Sequence, residues 1–472
     1  MARIAVIGAG LGAMAAAARL AVAGHRVTVY ERTDTYGGAV GRFERDGFAF
    51  DTGPGLLHLP AVYRDLFVKT GKEPLERCVG LTEVDPASRH LFADGTSVDL
   101  PNASRAGTVT ALDAALGAGA GMRWGDFLVR AREAWDRTRR PLLEEPQPED
   151  VSVYAREPYP APKPGLLRRP TTTLAQIGAR ELRDPRLVAL LDSYAAAYGF
   201  DPATAPASAA VLPYMEQTFG SWYVAGGLRA LATAVYERCL QRRVEFVFGA
   251  EVTDVPVKDG RAAGVGLADG TVVDADHVVA GAPVPALVRD GVVARGPRHQ
   301  SPGTGRVVLC LALRGGREPG AAHRTVVHAA GGRPTVTVLR PGDPALVPDG
   351  EHESVTVTAT VPTAPEHEGA AYAGPLLEAA ERAVPGLRER LLRQEVRTPR
   401  DTLRQTGAAE VPGPALAGGG GRLLPAANLS PLPGLYFAGG WAHPGGGLAH
   451  AGMSGALVAG LIVEGAGFRG SQ

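Results

Sequence analysis

Apolar positions in the first thirty residues change their period twice. Residues 3–7 are a β-branched and apolar run, residues 8–12 are glycine-rich, and residues 13–23 are an alanine-rich stretch ending at Gly24. Residues 25–30 then return to a strand-like run. The pattern predicts strand, tight turn, helix and strand within ~30 residues, the size of one β-α-β unit.

Further along, residues 112–143 read as helical and charged, and helical periodicity resumes at 174–198. Between them, residues 141–170 are proline-dense, with Pro158, Pro160, Pro162 and Pro164, and predict a surface loop or linker. Residues 244–280 switch to short strands, with Asp259-Gly260 and Asp269-Gly270 as hairpin turns. Strands are also expected at 306–313 and 355–361. A flexible glycine run at 418–421 precedes a strand at 434–438 and an apolar, small-residue helix at 447–463. No internal repeat is evident, and the alternating strand-rich and helix-rich blocks predict two lobes crossed more than once.

At 472 residues the chain is long enough for two or three lobes and an enclosed ligand. Lys+Arg and Asp+Glu both number 49, so the net charge offers no attraction to nucleic acid or an anionic membrane. A small-molecule substrate fits better. Cys78, Cys239 and Cys310 are scattered, without metal-ligand spacing, so neither a disulfide framework nor a metal site is expected. The chain opens directly into its strand pattern, and no run reaches the ~18 apolar residues of a membrane span. We expect a cytoplasmic protein, with peripheral membrane contact left open and the oligomeric state unread.

The candidate chemistry begins with VIGAGLGA, which puts Gly8, Gly10 and Ala13 at the positions of a G-x-G-x-x-G/A turn between strand and helix. Gly8 permits the turn, Gly10 lets a pyrophosphate approach the backbone, and Ala13 lets the helix pack on its strand. The free N–H groups of Leu11, Gly12 and Ala13 face the phosphates. Glu31, with Arg32 beside it, ends the second strand where a carboxylate binds ribose. These features specify a dinucleotide without choosing NAD or FAD. Six residues beyond Glu31, Gly37-Gly38 lets a second backbone segment pass close to the same pyrophosphate.

The run YGGAVGRFERDGFAFDTGPGLL at 36–57 resembles the glycine-doublet signature of the amine-oxidase-related flavoproteins, in particular their phytoene desaturase-like carotenoid branch. Three more segments resemble that branch in the same order: PYMEQTFGSWYVAGG at 213–227, AEVTDV at 250–255 and GLYFAGGWAHPGGGLAHAGMSG at 434–455. The resemblance spans nearly the whole chain. It implies FAD as cofactor, contacted by Gly37, Gly38, Ala39, Gly53, Pro54, Gly55, Leu56, the backbone of Val252, Gly439, Gly440, Gly447, Leu448 and Ala449. It also implies an α/β fold: a Rossmann-type FAD-binding lobe from discontinuous segments 1–75, 225–285 and 422–472, with an α+β substrate lobe from 76–224 and 286–421, helical at about 110–224. Ala39 stands where the family usually has arginine, and Arg42 is a candidate replacement. His450 stands where the family commonly has a small residue.

No second dinucleotide turn follows another strand, so no separate NADPH site is expected, and electrons leave to oxygen or a quinone unless the reaction is redox-neutral. The resemblance implies removal of hydride and proton from adjacent atoms of an apolar or specialised-metabolite substrate. A carotenoid desaturase or isomerase, a flavin amine oxidase and a catalytically inert FAD-binding protein are the alternatives. Against the amine oxidase, the four lysines are Lys69, Lys72, Lys163 and Lys258, and none occurs after Lys258, whereas many such oxidases draw theirs from the later half of the chain. No cysteine lies near the C-terminal motif to anchor a covalent flavin, whereas histidyl attachment stays open. His58, His443 and His450 are the candidate proton-handling groups. Trp222 and Tyr223 are candidate walls of an apolar substrate pocket.

Overall fold

The computed structural model describes residues 1–160, 171–282, 303–328, 334–363 and 369–470. Residues 161–170 of the proline-dense run, with Pro162, Lys163 and Pro164, lie outside them, as do residues 286–302 of the expected substrate lobe.

The first lobe is built on a five-stranded, wholly parallel sheet. Its elements are β1 (Arg3–Ile7), α1 (Leu11–Val22), β2 (Arg26–Glu31), α2 (Leu228–Gln241), β3 (Glu245–Phe248), β4 (His277–Ala280), β5 (Leu435–Phe437) and α3 (Leu448–Val463). The strand order is β3-β2-β1-β4-β5, so distant parts of the chain meet in one sheet. β1 is apolar at nearly every position because both of its faces are covered. Ile4 and Val6 pack towards α1, while Ala5 and Ile7 pack beneath the three-stranded antiparallel sheet of Val252–Asp254, Gly264–Leu267 and Val272–Asp274. The Asp259-Gly260 hairpin forms as expected, both residues adopting positive φ between two short strands.

Helix α1 is buried almost all round, which explains its alanines. Ala15, Ala16, Ala17 and Ala18 are each inaccessible, lying between the sheet, α2 and the C-terminal helix α3. The α1–α3 contact is backbone to backbone. A Cβ placed on Gly455 would stand 2.5 Å from Gly12 O and 2.7 Å from Ala16 N, and one on Gly12 would stand 2.6 Å from the Gly439 Cα. Small residues at this seam let the last helix lie directly on the first.

The second lobe carries a seven-stranded sheet in the order Leu391–Arg397, Thr304–Arg314, His352–Pro362, Val336–Leu339, Arg324–Val327, Ser88–Leu91, Ser97–Leu100. Neighbours run antiparallel except Arg324–Val327 against Ser88–Leu91. The expected strands at 306–313 and 355–361 form its long central pair, eleven residues each. Alternation divides their side chains. Val307, Leu309, Leu311, Val355, Val357 and Val361 face the helix Ala373–Glu381, while Arg306, Thr358 and Thr360 face the other way. Beside them, Phe48 and Phe50 of the early hairpin cover Val308, Cys310 and Ala312.

Helices Arg105–Leu116, Ala120–Arg139, Pro185–Ala196 and Val211–Phe219 form a separate core around Trp124 and Phe127. The helical stretches read at 112–143 and 174–198 are thus interrupted: by a turn at 117–119 and by five-residue π-helical segments at Arg140–Glu144 and Gly178–Leu182. A three-stranded sheet of Leu57–His58, Ser221–Val224 and Leu81–Glu83 joins this region to the early chain.

The α1–α3 seam makes a direct test of the fold. Gly455→Ala is expected to destabilise the protein by roughly 1–3 kcal/mol through overpacking. Gly350→Ala, whose added Cβ meets nothing within 4 Å, should stay within about 0.5 kcal/mol of the parent. Denaturant midpoints of the two variants measure the difference.

Candidate active site

One cavity of about 650 Å³ runs from the turn at the top of β1 into the space beneath the seven-stranded sheet. Its first half is built from backbone. Gly10 is the N-cap of α1 and Gly447 that of α3, and neither helix has a side-chain cap or an acidic residue in its first turn. Two helix N-termini therefore present uncapped N–H groups to one cavity, an arrangement that favours an anion or an electron-rich edge. Gly37 N–H donates to Ala9 O at 2.8 Å, and a Cβ on Gly38 would come 3.0 Å from the Gly10 Cα. With φ of 103° and 58°, this doublet makes a turn that side chains would oppose, held flat against the first glycine loop. Glu31 is buried, its carboxylate accepting from the N–H groups of Ala9 at 2.7 Å and Thr33 at 2.9 Å, and it still reaches the cavity wall.

The second half is a chamber with a polar lining. Glu216 is gripped through both oxygens by Arg324, the Nη1 contact measuring 3.1 Å, and its Oε2 lies 3.5 Å from His58 Nε2. On its other side, His58 Nδ1 is 3.4 Å from both Gly220 O and Ser221 Oγ, while Nε2 faces Glu216. Burial lowers the His58 pKa, opposed by Glu216 and reinforced by Arg324. Burial raises the Glu216 carboxyl, but Arg324 and His58 outweigh it and hold it below its usual range. Tyr194, Tyr198, His90, Arg306, Thr337, Thr358 and Thr360 continue the wall, with Met215, Val326 and Leu339 as apolar surface.

All the residues expected to touch the dinucleotide line this cavity: Gly8, Gly10, Leu11, Gly12, Ala13, Glu31, Arg32, Gly37, Gly38, Ala39, Gly53, Pro54, Gly55, Leu56, Val252, Gly439, Gly440, Gly447, Leu448 and Ala449. His58 and His450 line it too. His443 does not: it is fully buried, with Nε2 2.9 Å from Glu145 O, tying the C-terminal loop to the helical region. Trp222 and Tyr223 also lie off the cavity. The indole donates to Phe219 O at 3.1 Å under the Arg64 guanidinium, and the Tyr223 hydroxyl donates to Asp343 at 2.6 Å, because a two-residue alternation on Ser221–Val224 spends both side chains on structural contacts. Arg42, the candidate substitute for the arginine absent at Ala39, turns away to Gly226 O and Glu44.

Several functional positions escaped the sequence reading. Asn428 is buried and donates to Phe437 O at 3.0 Å and His443 O at 2.7 Å, while Gly439 N–H donates to Ser454 Oγ at 3.1 Å. These contacts set the loop that carries Gly439 and Gly447 to the cavity. Glu216 lay inside the segment 213–227 but had no chemical signal until Arg324, 108 positions later, was folded onto it.

Burial holds His450 and His443 at pKa values of about 4, with each other's proximity adding to the effect at His450. Both values lie below that of a free histidine, so between about pH 6.5 and 4 the unfolded chain binds more protons than the folded one. Stability is therefore full above about pH 6.5 and is lost as pH falls towards 4. His443→Gln, whose amide reaches towards Glu145 O without titrating, should flatten that loss by on the order of 1 kcal/mol per pH unit. Denaturant midpoints at pH 7, 6 and 5 provide the check.

Comparison with known proteins identifies the fold and the family. The family model described as flavin containing amine oxidoreductase matches residues 14–463. The hydroxyneurosporene desaturase of Cereibacter sphaeroides is 31% identical over 98% of this chain and 97% of its own. A 4,4'-diapolycopene oxygenase from a Methylomonas species is 29% identical over 98% of each chain. Among solved structures, an oxidoreductase from Methanosarcina mazei shares the fold at 19% identity, with a TM-score of 0.70 over 97% of this chain and 99% of that one. A putrescine oxidase bound to putrescine does so at 16% identity and a TM-score of 0.68, over 98% and 99%. With the α/β fold, the glycine-built cavity and these relatives in agreement, this FAD-dependent oxidoreductase belongs to the flavin containing amine oxidoreductase family, as a phytoene desaturase-like member.

Proposed function

We propose that the protein is a desaturase or dehydrogenase that removes a hydride and a proton from adjacent atoms of a partly apolar small molecule. The observation that carries this reading is the continuity of the cavity: one wall is the glycine cradle with two uncapped helix N-termini, and the other is a closed chamber containing His58, Glu216 and Arg324. The flavin dinucleotide fits the first half, where Cβ atoms are excluded and N–H donors converge. Gly8 to Ala13 would hold the pyrophosphate, Glu31 the ribose and Val252 the adenine edge, with Gly439, Gly440 and Gly447 to Ala449 at the flavin end. When bound, FAD supplies a two-electron acceptor for hydride.

His58 is the group placed to take the accompanying proton. Burial favours its neutral form, and the imidazolium formed on taking a proton would lie between Gly220 O and the Glu216 carboxylate. Two C–H bonds would be lost: His58 would take one hydrogen as a proton, leaving that electron pair for the new double bond, and bound FAD would supply the acceptor for the other as hydride. His450, held neutral by burial, serves as a hydrogen-bonding group in the wall. Lys69, Lys72 and Lys258 are all absent from the cavity lining, which favours this chemistry over lysine-dependent amine oxidation. Electrons leave to oxygen or a quinone. We adopt residues 1–75, 225–285 and 422–472 as the flavin lobe and 76–224 with 286–421 as the substrate lobe. No helix among the described residues is long and apolar enough to cross a membrane, and peripheral contact would serve delivery of an apolar substrate.

Anaerobic mixing of the flavin-loaded protein with C40 polyenes, cyclic metabolites and small amines tests the proposal. Bleaching of the flavin with loss of two mass units from the substrate is the expected result; release of ammonia or an aldehyde would make it an amine oxidase, and a flavin that nothing reduces would make it inert. His58→Gln should slow reduction on the order of 10²-fold and remove the acid limb of the pH–rate profile, since a protonated ring accepts no proton. An unchanged rate and profile would dismiss His58 as the acceptor.

A further inference from the structure

The chamber contains one arginine that the protein leaves without a counter-charge. Arg324 is neutralised by Glu216, and Arg32, at the dinucleotide end, donates to Leu403 O and Arg404 O at 3.2 and 2.8 Å. Arg306 has no such partner. Among the described residues no carboxylate lies within ion-pair distance of it and no acceptor takes a hydrogen bond from it. Glu410, whose backbone pairs with Gly305, also lines the cavity without reaching it.

This placement follows from the sheet. Arg306 lies on Thr304–Arg314 opposite Thr360, and the alternation that sends Val307 into the core sends Arg306 into the cavity. Arg306 is partly buried, and it lines the cavity. Tyr198 stands beside it, close enough for the phenol and the guanidinium to influence each other. The same tyrosine reaches the N-terminus of α3: a Cβ on Gly447 would be 3.5 Å from its hydroxyl. Thus the unpaired cation is one aromatic side chain away from the flavin-end turn, with Val326, Leu339 and Met215 as nearby apolar surface.

A partly buried guanidinium with no protein partner has lost part of its hydration without compensation, a cost that an anionic ligand would offset. Its planar fork matches a carboxylate through two parallel hydrogen bonds. A phosphate dianion would call for a second free cation, and Arg324 is already committed. We propose that Arg306 anchors a carboxylate on the substrate, so that the enzyme acts on an amphiphilic monoanion: the carboxylate held by Arg306 and the apolar portion laid towards the flavin end of the cavity. This rests on the chamber being the substrate site of the oxidoreductase described above and names its substrate class.

Calorimetric titration of the flavin-loaded, full-length protein with octanoate, octanamide, octan-1-ol and octyl phosphate tests the anchor without requiring turnover. Octanoate should bind at least about tenfold more tightly than the amide, the alcohol and the phosphate monoester. Arg306→Gln should weaken octanoate on the order of 10²-fold and abolish that preference, whereas Arg306→Lys should retain part of it. The flavin spectrum and thermal midpoint of each variant report on folding, and the ligand series on the parent protein decides the matter even if Arg306→Gln does not fold. Equal binding of octanoate and octanamide, an unchanged affinity in a folded Arg306→Gln, or preference for octyl phosphate would overturn the proposal. The two readings fail separately: a neutral polyene desaturated by a protein that ignores octanoate removes only the anchor, and octanoate bound by a protein whose flavin nothing reduces removes only the desaturase.

Discussion

The structure depends on the contact between the first turn of the chain and its last helix. Gly12 lies against Gly439 and Gly455 with no room for a Cβ on Gly12 or Gly455, and Gly38 lies against Gly10 with little more. Where backbones touch in this way, hydrogen bonding and steric fit leave little slack, and the N-termini of α1 and α3 are held in fixed relation. Those two helix ends supply much of the donor surface of the cofactor cradle. The cavity exists because segments separated by more than four hundred residues are packed without side chains between them.

The second lobe uses the opposite device. Its sheet separates function from packing by alternation: one face of the long strands is valine and leucine under a helix, and the other carries threonine and arginine into the chamber. A register shift of one residue would exchange the two faces, so the eleven-residue pairing of Thr304–Arg314 with His352–Pro362 sets both core and site chemistry. The strand Arg324–Val327 brings Arg324 to Glu216 and, through it, to His58 on the short strand joining the lobes. Burial keeps the histidines neutral and makes their charge state a property of the fold.

Much of the dinucleotide half was legible in the chain because its signals are local. Gly8, Gly10, Ala13, Glu31 and the doublet Gly37-Gly38 act within one β-α-β unit and the turn beyond it, and the backbone geometry they require leaves few alternatives to glycine or alanine. The C-terminal turn from Gly439 to Ala449 was legible for the same reason. The helical readings at 112–143 and 174–198 missed the turn at 117–119, where Gly117 and Gly119 take positive φ, and the π-helical segment at 178–182, because a continuous period of apolar residues does not reveal a one-residue change in hydrogen-bonding step.

By itself, then, the sequence determined a dinucleotide-type turn, the β-α-β entry and the positions where small residues let backbone segments meet, since each is set by short-range sterics, while FAD followed from the resemblance of 36–57 and 434–455. Tertiary structure alone decided the chemistry of the chamber. Which histidine faces the cavity and which holds a carbonyl, whether Trp222 and Tyr223 see substrate, and whether an arginine is paired or free depend on partners far away in the chain. Trp222 and Tyr223 were spent on Phe219 and Asp343, His443 on Glu145, and Arg42 on Glu44, while Arg306 was left to the cavity. A side chain's role follows from what it meets once desolvated, and that meeting is a property of the packed fold.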